Sequence, residues 1–301
     1  QARVYCHPNW AGFLLHDGES LDLDDPHASH STLQQLYRAQ EAIRSDSPHA
    51  FALVRAGTAD EVLRVSQATH LPMVALSLPP VGSGCDSRAT CAVQTMRELV
   101  RLRDALLTTA TTWTNSTSFL VISDPCGLGG DAAARLQAYA SLLFGVAGLF
   151  HHSDRSMSDA TGCVAVVSSI NDRAAQWVAR LDPSEAQLVA VAGGALDWAL
   201  PRGVRRLIPG RAGSIVAMLG NPDLLVGVFE PVDATSGRAN ASLSPPMLMV
   251  LDSRLGGAAR QTNLSLSPGV LGWTPYLGDC GAGFADCEKL VLGNHVRLAL
   301  L

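Results

Sequence analysis

The sequence predicts an α/β protein, with parallel βα units over residues 1–195 and an antiparallel β-sandwich over residues 203–301. Two observations lead to this prediction. Through the first two-thirds of the 301 residues, short apolar runs alternate with helical patterns, which is typical of parallel βα units. After about Gly203 the helical patterns stop, and short apolar runs lie between Gly, Pro, Asn and Asp residues, as in antiparallel sheets.

The first region begins with an apolar strand at Phe13-Leu14-Leu15, followed by a helix that Ser31 or Thr32 can cap. Thr58 can cap the next helix in the same way. The predicted strands are 13–15, 49–54, 73–78, 119–122 and 146–150, and the predicted helices are 31–45, 58–69, 90–109, 131–144 and 171–181, with a second helical piece after Pro183.

The second region is predicted to contain strands only. These strands are 204–208, 214–219, 224–229, 247–251, 261–266 and 291–301. A Gly-rich turn at residues 127–130, between a predicted strand and a predicted helix, raises the possibility of a phosphate-binding loop. It lacks the glycine spacing of dinucleotide and P-loop sites, which favours an ordinary βα turn, and no cofactor is predicted.

Composition excludes several classes of function. Hydrophobic residues make up 47% of the chain and charged residues 16%, which fits a folded protein with a large core. The net charge of -5 and the lack of a basic stripe argue against nucleic-acid binding. No apolar run reaches the roughly 18 residues that a membrane-spanning helix needs. The cysteine and histidine spacing of zinc sites is absent, so no metal is predicted.

Glycosylation sequons and cysteines predict a secreted or cell-surface location. The sequons begin at Asn115, Asn240 and Asn263. Two cysteine pairs, Cys85 with Cys91 and Cys280 with Cys287, would each close a short Gly-rich loop, a common disulfide arrangement outside the cell. The pairing of the remaining Cys6, Cys126 and Cys163 is open.

Several local patterns, in their order along the chain, resemble the retaining glycoside hydrolases that carry a C-terminal β-sandwich behind a (β/α)8 barrel. Each pattern is weak alone, and the weight lies in their order and spacing over most of the chain. The segments that carry the resemblance are His7–Asp17, Ala42–His49, Leu120–Gly127, Arg135–Tyr139 and Gly148–Ser153 for the barrel, and 224–229, 247–251 and 290–301 for the sandwich.

The resemblance implies a carbohydrate partner and assigns the five predicted strands to barrel strands four to eight. A closed barrel needs eight strands, so strands one to three are expected in another segment or chain. The resemblance also implies that Asp17 or Glu19 is the acid/base and Asp124 the nucleophile of a retaining mechanism. The residues implied to contact the sugar are His16, His151 and His152.

The catalytic positions depart from the family pattern. Direct alignment puts Gly18 where the acid/base Glu is expected, and Glu19 can replace it only if the loop shifts by one residue. Asp124 stands where Glu is expected, and a shift of about 1 Å in a reacting group can cost on the order of a hundredfold in rate. The leading hypothesis is therefore a glycan-binding or structural module with impaired catalysis.

Two alternatives stay open beside it. One is an active retaining glycosidase that uses Glu19 and Asp124, and the other is an architectural domain without a sugar site. Both carboxylates also have ordinary interpretations. Asp17 and Glu19 begin an acidic loop, since Asp22, Asp24 and Asp25 follow, and Asp124 can cap the next turn. Histidines at strand ends can likewise bond to neighbouring carboxylates.

Overall fold

The structure of the chain is a computed structural model. It describes residues 12–16, 23, 26–47, 51–69, 73–78, 94, 96–104, 118–123, 130–144, 146, 148–151, 161–178, 186–193, 200–201, 203–212, 214, 216–220, 224–233, 238–240, 247–252, 260–266, 290–292 and 295–300.

The first part of the described chain alternates strands and helices, and the part after α5 contains strands. The helices are α1 Pro26–Asp46, α2 Ala59–Thr69, α3 at residues 96–104, α4 Gly130–Leu143 and α5 Thr161–Val178. The strands are β1 Gly12–His16, β2 Phe51–Ala56, β3 Met73–Ser77, β4 Ser118–Ser123, β5 Gly148–His151, β6 Ala186–Gly193, β7 Arg205–Leu207, β8 Val216–Leu219, β9 Leu224–Asp233, β10 Arg238–Ala239, β11 Met247–Asp252, β12 Arg260–Leu266, β13 Leu290–Leu292 and β14 His295–Leu300.

Strands β1 to β5 form one sheet in which every strand is parallel to its neighbours. The strand order is β1-β2-β3-β4-β5, so the order in space follows the order in the sequence. The predicted α/β class is therefore confirmed, with its parallel βα units.

Both faces of the central strands, β2 to β4, are buried. In register, Leu53 of β2 lies beside Met73 of β3, and Ala75 lies beside Leu120 of β4. Leu53, Ala75, Leu120 and Ile122 form a buried apolar cluster against which Met73 packs, and this side is called the cluster face below. The opposite face carries Val54, Val74, Leu76 and Val121, each at most 1% exposed.

Helix α2 packs against β2 and β3, and none of its residues belongs to the apolar cluster. Its start is fixed by a capping box. The Glu61 backbone N–H donates to Thr58 Oγ1 at 3.2 Å, and Glu61 Oε2 accepts from the Thr58 N–H at 3.2 Å. Val62 and Val65 are fully buried, as expected for the inner side of an amphipathic helix. The predicted cap at Thr58 is confirmed.

Helix α4 is buried along its whole described surface, apart from Tyr139, which is half-buried. It packs against α5 and β11. Leu143, near its C-terminal end, lies so close to Gly227 of β9 that a Cβ on that glycine would stand 2.2 Å from Leu143 Cδ1. Leu188 of β6 would be 3.1 Å away. A glycine is required here because helix and strand approach too closely for a side chain.

The strands from β6 onward form two sheets whose pairs are mostly antiparallel. The order of the first is β10-β9-β6-β7, with β11 also paired to β9, and the order of the second is β13-β14-β12-β8. Only the β6–β7 pair is parallel among the described pairs of these two sheets. Along β8, Val216 is fully buried and Met218, two residues later, is 49% exposed, so the strand goes from a covered to a solvent-exposed position along its length.

Helix α1 begins at Pro26, five residues before the predicted start. Ser31 and Thr32 therefore lie within the helix, and the predicted cap at these residues is wrong.

Other predicted elements also differ from the structure. The helical piece after Pro183 is wrong: residues 186–193 form β6, because this apolar run pairs with β9 and β7. Helix α5 begins at Thr161, ten residues before the predicted start, and its first turns are rich in Val and Ser, which carry a weak helical signal. The single strand predicted for 291–301 is a hairpin of β13 and β14.

By backbone contacts the chain divides into two compact units. One comprises Gln1–Pro79, Arg101–Ile122 and Val146–Phe150. The other comprises Pro80–Val100, Ser123–Gly145 and His151–Leu301. The domain boundary predicted between residues 195 and 203 stays a prediction. Among the described helices, no stretch combines the length and the apolar character that a bilayer crossing requires.

Candidate functional site

The carboxyl ends of parallel strands meet at one edge of a sheet, and in barrel enzymes this edge carries the active site. In β1 to β3, the sequence has polar residues near this end. β1 ends at His16, β2 carries Arg55 as its last residue but one, and β3 ends at Ser77. These strands are adjacent in the sheet, so the three positions belong to neighbouring strand ends.

Arg55 and Ser77 form a polar pair on the cluster face. Arg55 pairs in register with Ala75, which belongs to the apolar cluster, and Ser77 follows two residues later on the same side of β3. Arg55 Nη2 donates to Ser77 Oγ at 3.0 Å, and both side chains are half-buried. Arg55 therefore offers several hydrogen-bond donors, and the Ser77 hydroxyl can donate or accept. Both lie on the same face as the buried apolar cluster.

Sequence reasoning missed this pair. Each residue is the single polar one near the end of an apolar strand, in the segments Phe51–Ala56 and Met73–Ser77. That pattern is a usable signal, because ligands of parallel α/β sheets bind beside the carboxyl ends of the strands. What the sequence did not contain was the register that brings Arg55 within reach of Ser77.

His16 occupies the last position of β1, opposite Val54 of β2. The register shifts between Leu14 and His16, so β1 has an irregularity just before its end. The predicted acid/base residues Asp17 and Glu19 come next in the chain and lie outside the described residues, as do Asp124 and His152.

His151 ends β5 and contacts the helix that follows. Its Nε2 lies 3.1 Å from Oδ1 of Asn171 in α5. Burial lowers the pKa of His151 below its ordinary value, while the hydrogen bond to Asn171 acts in the opposite direction. The neutral ring with its proton on Nε2 donates to Asn171 and leaves Nδ1 as an acceptor.

The strand geometry of β5 fixes which side His151 occupies. A Cβ on Gly148 would stand 2.8 Å from Leu120 Cδ2, so Gly148 faces the apolar cluster. Side chains alternate along a strand, and three residues later His151 therefore lies on the opposite side, consistent with its bond to Asn171 of α5. Its predicted sugar contact stays a prediction, and the partner that the structure gives the ring is Asn171 of α5.

Two of the predicted modification positions lie among the described residues. Asn240 follows β10 directly, is half-buried, and donates its backbone N–H to the Pro231 carbonyl at 2.8 Å. Asn263 lies in β12 opposite Arg297 of β14. Asn115 and the cysteines predicted to pair, Cys85 with Cys91 and Cys280 with Cys287, lie outside the described residues. The predicted glycans and disulfides stay predictions.

Helix α3 carries a further ionisable group whose pKa is shifted. Arg103 of α3 is 8% exposed, and burial lowers its pKa to about 10, with nearby Asp104 acting in the opposite direction. The guanidinium stays charged at neutral pH, so its place in the fold is that of a buried cation and not of a proton donor. Within the described residues, no three His, Cys, Asp or Glu side chains are grouped to hold a metal ion.

The chain was compared with protein-family models, curated proteins and solved structures, and none of the three comparisons finds a match. The fold and the polar pair at the strand ends are therefore the basis on which function is inferred.

Proposed function

We propose that the chain is a carbohydrate-binding protein built like a glycoside hydrolase, with weak or lost catalysis, that works outside the cell. The observation that carries the proposal is the order of the parallel sheet, in which β1 to β5 are neighbours in sequence and in space. We further propose that the sheet is part of a (β/α)8 barrel and that the strands after it form a β-sandwich.

The strand order separates the two common α/β architectures. In a doubly wound sheet the order reverses at a switch point, and helices cover both faces. Crossovers between parallel strands are nearly always right-handed, so a sheet that grows in one direction keeps its helices on one side. The other side is then free to become a barrel interior, filled by branched and small side chains such as Leu53, Ala75, Leu120 and Ile122.

The five described parallel strands are fewer than the eight of a closed barrel. We propose that the remaining strands come from another segment of the protein or from a partner chain. An exposed sheet edge is a liability, and strand addition at β1 and β5 would remove it. Leu14 on β1 and Phe150 on β5 are 47% and 43% exposed, which supports apolar contacts at both edge strands.

The chemistry of the strand ends suits sugar binding. Neutral sugars are held by hydrogen bonds to hydroxyl groups, and Arg55 with Ser77 supplies donors and an acceptor at fixed positions. The three departures at the catalytic positions support binding without efficient turnover. Glu19 is displaced by one residue, and Asp124 is shorter than the expected Glu. His151 and His152 stand where the glycoside hydrolases that the chain resembles usually have a sugar-stacking Trp, and an imidazole offers a smaller stacking face.

Calorimetric titration of the full chain with a panel of neutral oligosaccharides tests the proposal. We expect one sugar class to bind, and we expect Arg55→Ala and Ser77→Ala each to weaken binding by about tenfold, the worth of one good hydrogen bond to a charged or polar group. Arg44→Ala is the matched control, since Arg44 is an exposed arginine of α1. No binding of any sugar, or equal losses in Arg44→Ala, would overturn the proposal.

Aryl glycosides distinguish binding from catalysis. The proposal expects no turnover by the wild-type protein above that of the Asp124→Ala variant. Turnover that is lost in both Asp124→Ala and Glu19→Gln would instead establish an active retaining enzyme, because both carboxylates are needed in that mechanism.

A further inference from the structure

A segment of the second compact unit, separate from β1 to β5, carries an unusual charge. Four arginines, Arg202, Arg205, Arg206 and Arg211, lie within ten residues. No acidic residue occurs between Asp197 and Asp223, although the whole chain has a net charge of -5. We call residues 203–211, which the structure describes, the arginine segment, and we propose that its Arg205, Arg206 and Arg211 bind acidic polysaccharide through sulfate or carboxylate groups.

The described arginines of the segment are on the surface. Arg205 and Arg206 belong to β7, which is the last strand in the order β10-β9-β6-β7, and both are exposed. Successive side chains of a strand point to opposite faces, so the two arginines lie on the two sides of this strand, and a polysaccharide must run along the strand edge to contact both. Arg211, on the turn after β7, is exposed as well. Ile208 between them is 51% exposed and adds an apolar contact of the kind that a sugar ring can cover.

The backbone that carries these side chains is held in place. Gly210, with a φ of 76°, donates its N–H to the Val216 carbonyl at 3.0 Å, and Arg211 donates its N–H to the Ile208 carbonyl at 3.2 Å. Ser214 Oγ bonds both to the N–H and to the carbonyl oxygen of Val216. A surface fixed in advance loses less entropy on binding than a mobile loop does.

The residue types favour an acidic polysaccharide over other polyanions. A guanidinium presents a planar fork of donors that matches sulfate and carboxylate groups. Single-stranded nucleic acids are bound with aromatic side chains on which bases stack, and the sequence has no aromatic residue between Trp198 and Phe229.

Charges on an edge strand have an ordinary role as well, since they prevent edge-to-edge pairing of sheets. That role needs one or two charged side chains of either sign. It does not require four arginines within ten residues, the last of which, Arg211, lies on the turn after the strand. The choice of a glycan as partner rests on the proposed function, whereas the positive surface itself rests on the geometry of β7 and its turn.

The test measures binding of the full chain to a sulfated polysaccharide and to its desulfated form, over a range of salt concentrations. We expect binding to the sulfated form alone, weakening as salt rises. The variant with Arg205→Gln, Arg206→Gln and Arg211→Gln should bind about tenfold more weakly, with a salt dependence lower by about two in the log–log slope. The triple Arg→Lys variant keeps the charge and loses the planar fork, so its affinity should lie between that of the triple Gln variant and that of the wild-type protein.

The control is Arg38→Gln with Arg44→Gln, two exposed arginines of α1 in the other compact unit. Loss of binding in this control equal to that of the triple variant would overturn the proposal, as would equally tight binding of duplex DNA or of anionic vesicles. The triple variant should keep neutral-sugar binding at the strand ends. Failure of neutral-sugar binding alone would therefore count against the proposed function and leave the arginine segment standing.

Discussion

Strands β3 and β8 are both short and apolar, yet they are buried in different ways. Three successive residues of β3, Val74, Ala75 and Leu76, are at most 1% exposed. In β8, Val216 is fully buried while Met218, two residues later, is 49% exposed. β3 is thus covered on both faces, as a central parallel strand is, and β8 is in part open to solvent.

The difference shows how a run of apolar residues is to be interpreted. Met73–Ser77 and Val216–Leu219 look alike in composition, and neither has a strict alternation of polar and apolar residues. On the cluster face, Ala75 of β3 is in contact with apolar side chains of β2 and β4. Helix α2 also packs against β3. The covering elements, and not the strand's own residues, decide whether a long side chain becomes core or surface.

The sharpest test of this comparison truncates one side chain in each strand. Leu76→Ala leaves a cavity in a fully buried site and should lower the free energy of unfolding by about 3 kcal/mol. Met218→Ala removes a side chain that is half in water and should lower it by less than about 0.5 kcal/mol. Urea unfolding of both variants measures the difference. Losses of similar size would mean that β3 is not covered on both faces.

A second test concerns the helix that covers β3. Thr58→Ala removes the side chain that accepts the Glu61 N–H and should cost about 1 kcal/mol. Glu61→Ala should cost a similar amount, because Glu61 Oε2 accepts from both Gly57 and Thr58. The double variant should lose less than the sum, since the two residues cap one another.

Asp60→Ala serves as the control for the cap, because Asp60 lies in the same first turn and is exposed. Asp60→Ala should remove only the interaction of this carboxylate with the helix dipole and should lower the free energy of unfolding by about a few tenths of a kcal/mol. Thermal melting of the four variants measures these differences. A Thr58→Ala effect no larger than that of Asp60→Ala would show that the capping box does not hold α2 against the sheet.

The smallest expected effect is at β5 and depends on pH. Burial lowers the pKa of His151, so below about pH 6.5 the unfolded chain takes up protons that the folded chain binds less readily. The contribution of His151 to the free energy of unfolding should therefore be constant above this pH and should fall as the pH drops through the lowered pKa. His151→Gln should flatten this part of the profile, measured as urea midpoints between pH 7.5 and 5.5 relative to wild type. An unchanged slope would contradict it.

Much of the parallel region follows from local sequence patterns. β2, β3 and β4 were predicted from apolar runs, and α2 from its helical spacing and the cap at Thr58. Local signals suffice there because a cap and an amphipathic stripe are written within a few residues. The same signals failed at β6, where an apolar run after Pro183 carries no clear period and the strand is selected by β9 and β7.

The candidate site divides in the same way. His16 and His151 were predicted at strand ends from the sequence, and the structure has them there. The pair of Arg55 and Ser77 was not predicted, because the two residues are 22 positions apart and meet only through the register of β2 and β3. The arginine segment was visible as a sequence, but its exposure depends on β7 being the last strand of its sheet.

The sequence by itself determined the α/β class and the alternation of strands and helices from β1 to α5, because hydrophobic period, caps and turn residues act over short distances along the chain. Only the tertiary structure decided that β1 to β5 run side by side in sequence order, that residues 186–193 pair as a strand, and that Arg55 reaches Ser77. These depend on which distant segments come together, and pairing energies between segments are not encoded in either segment alone.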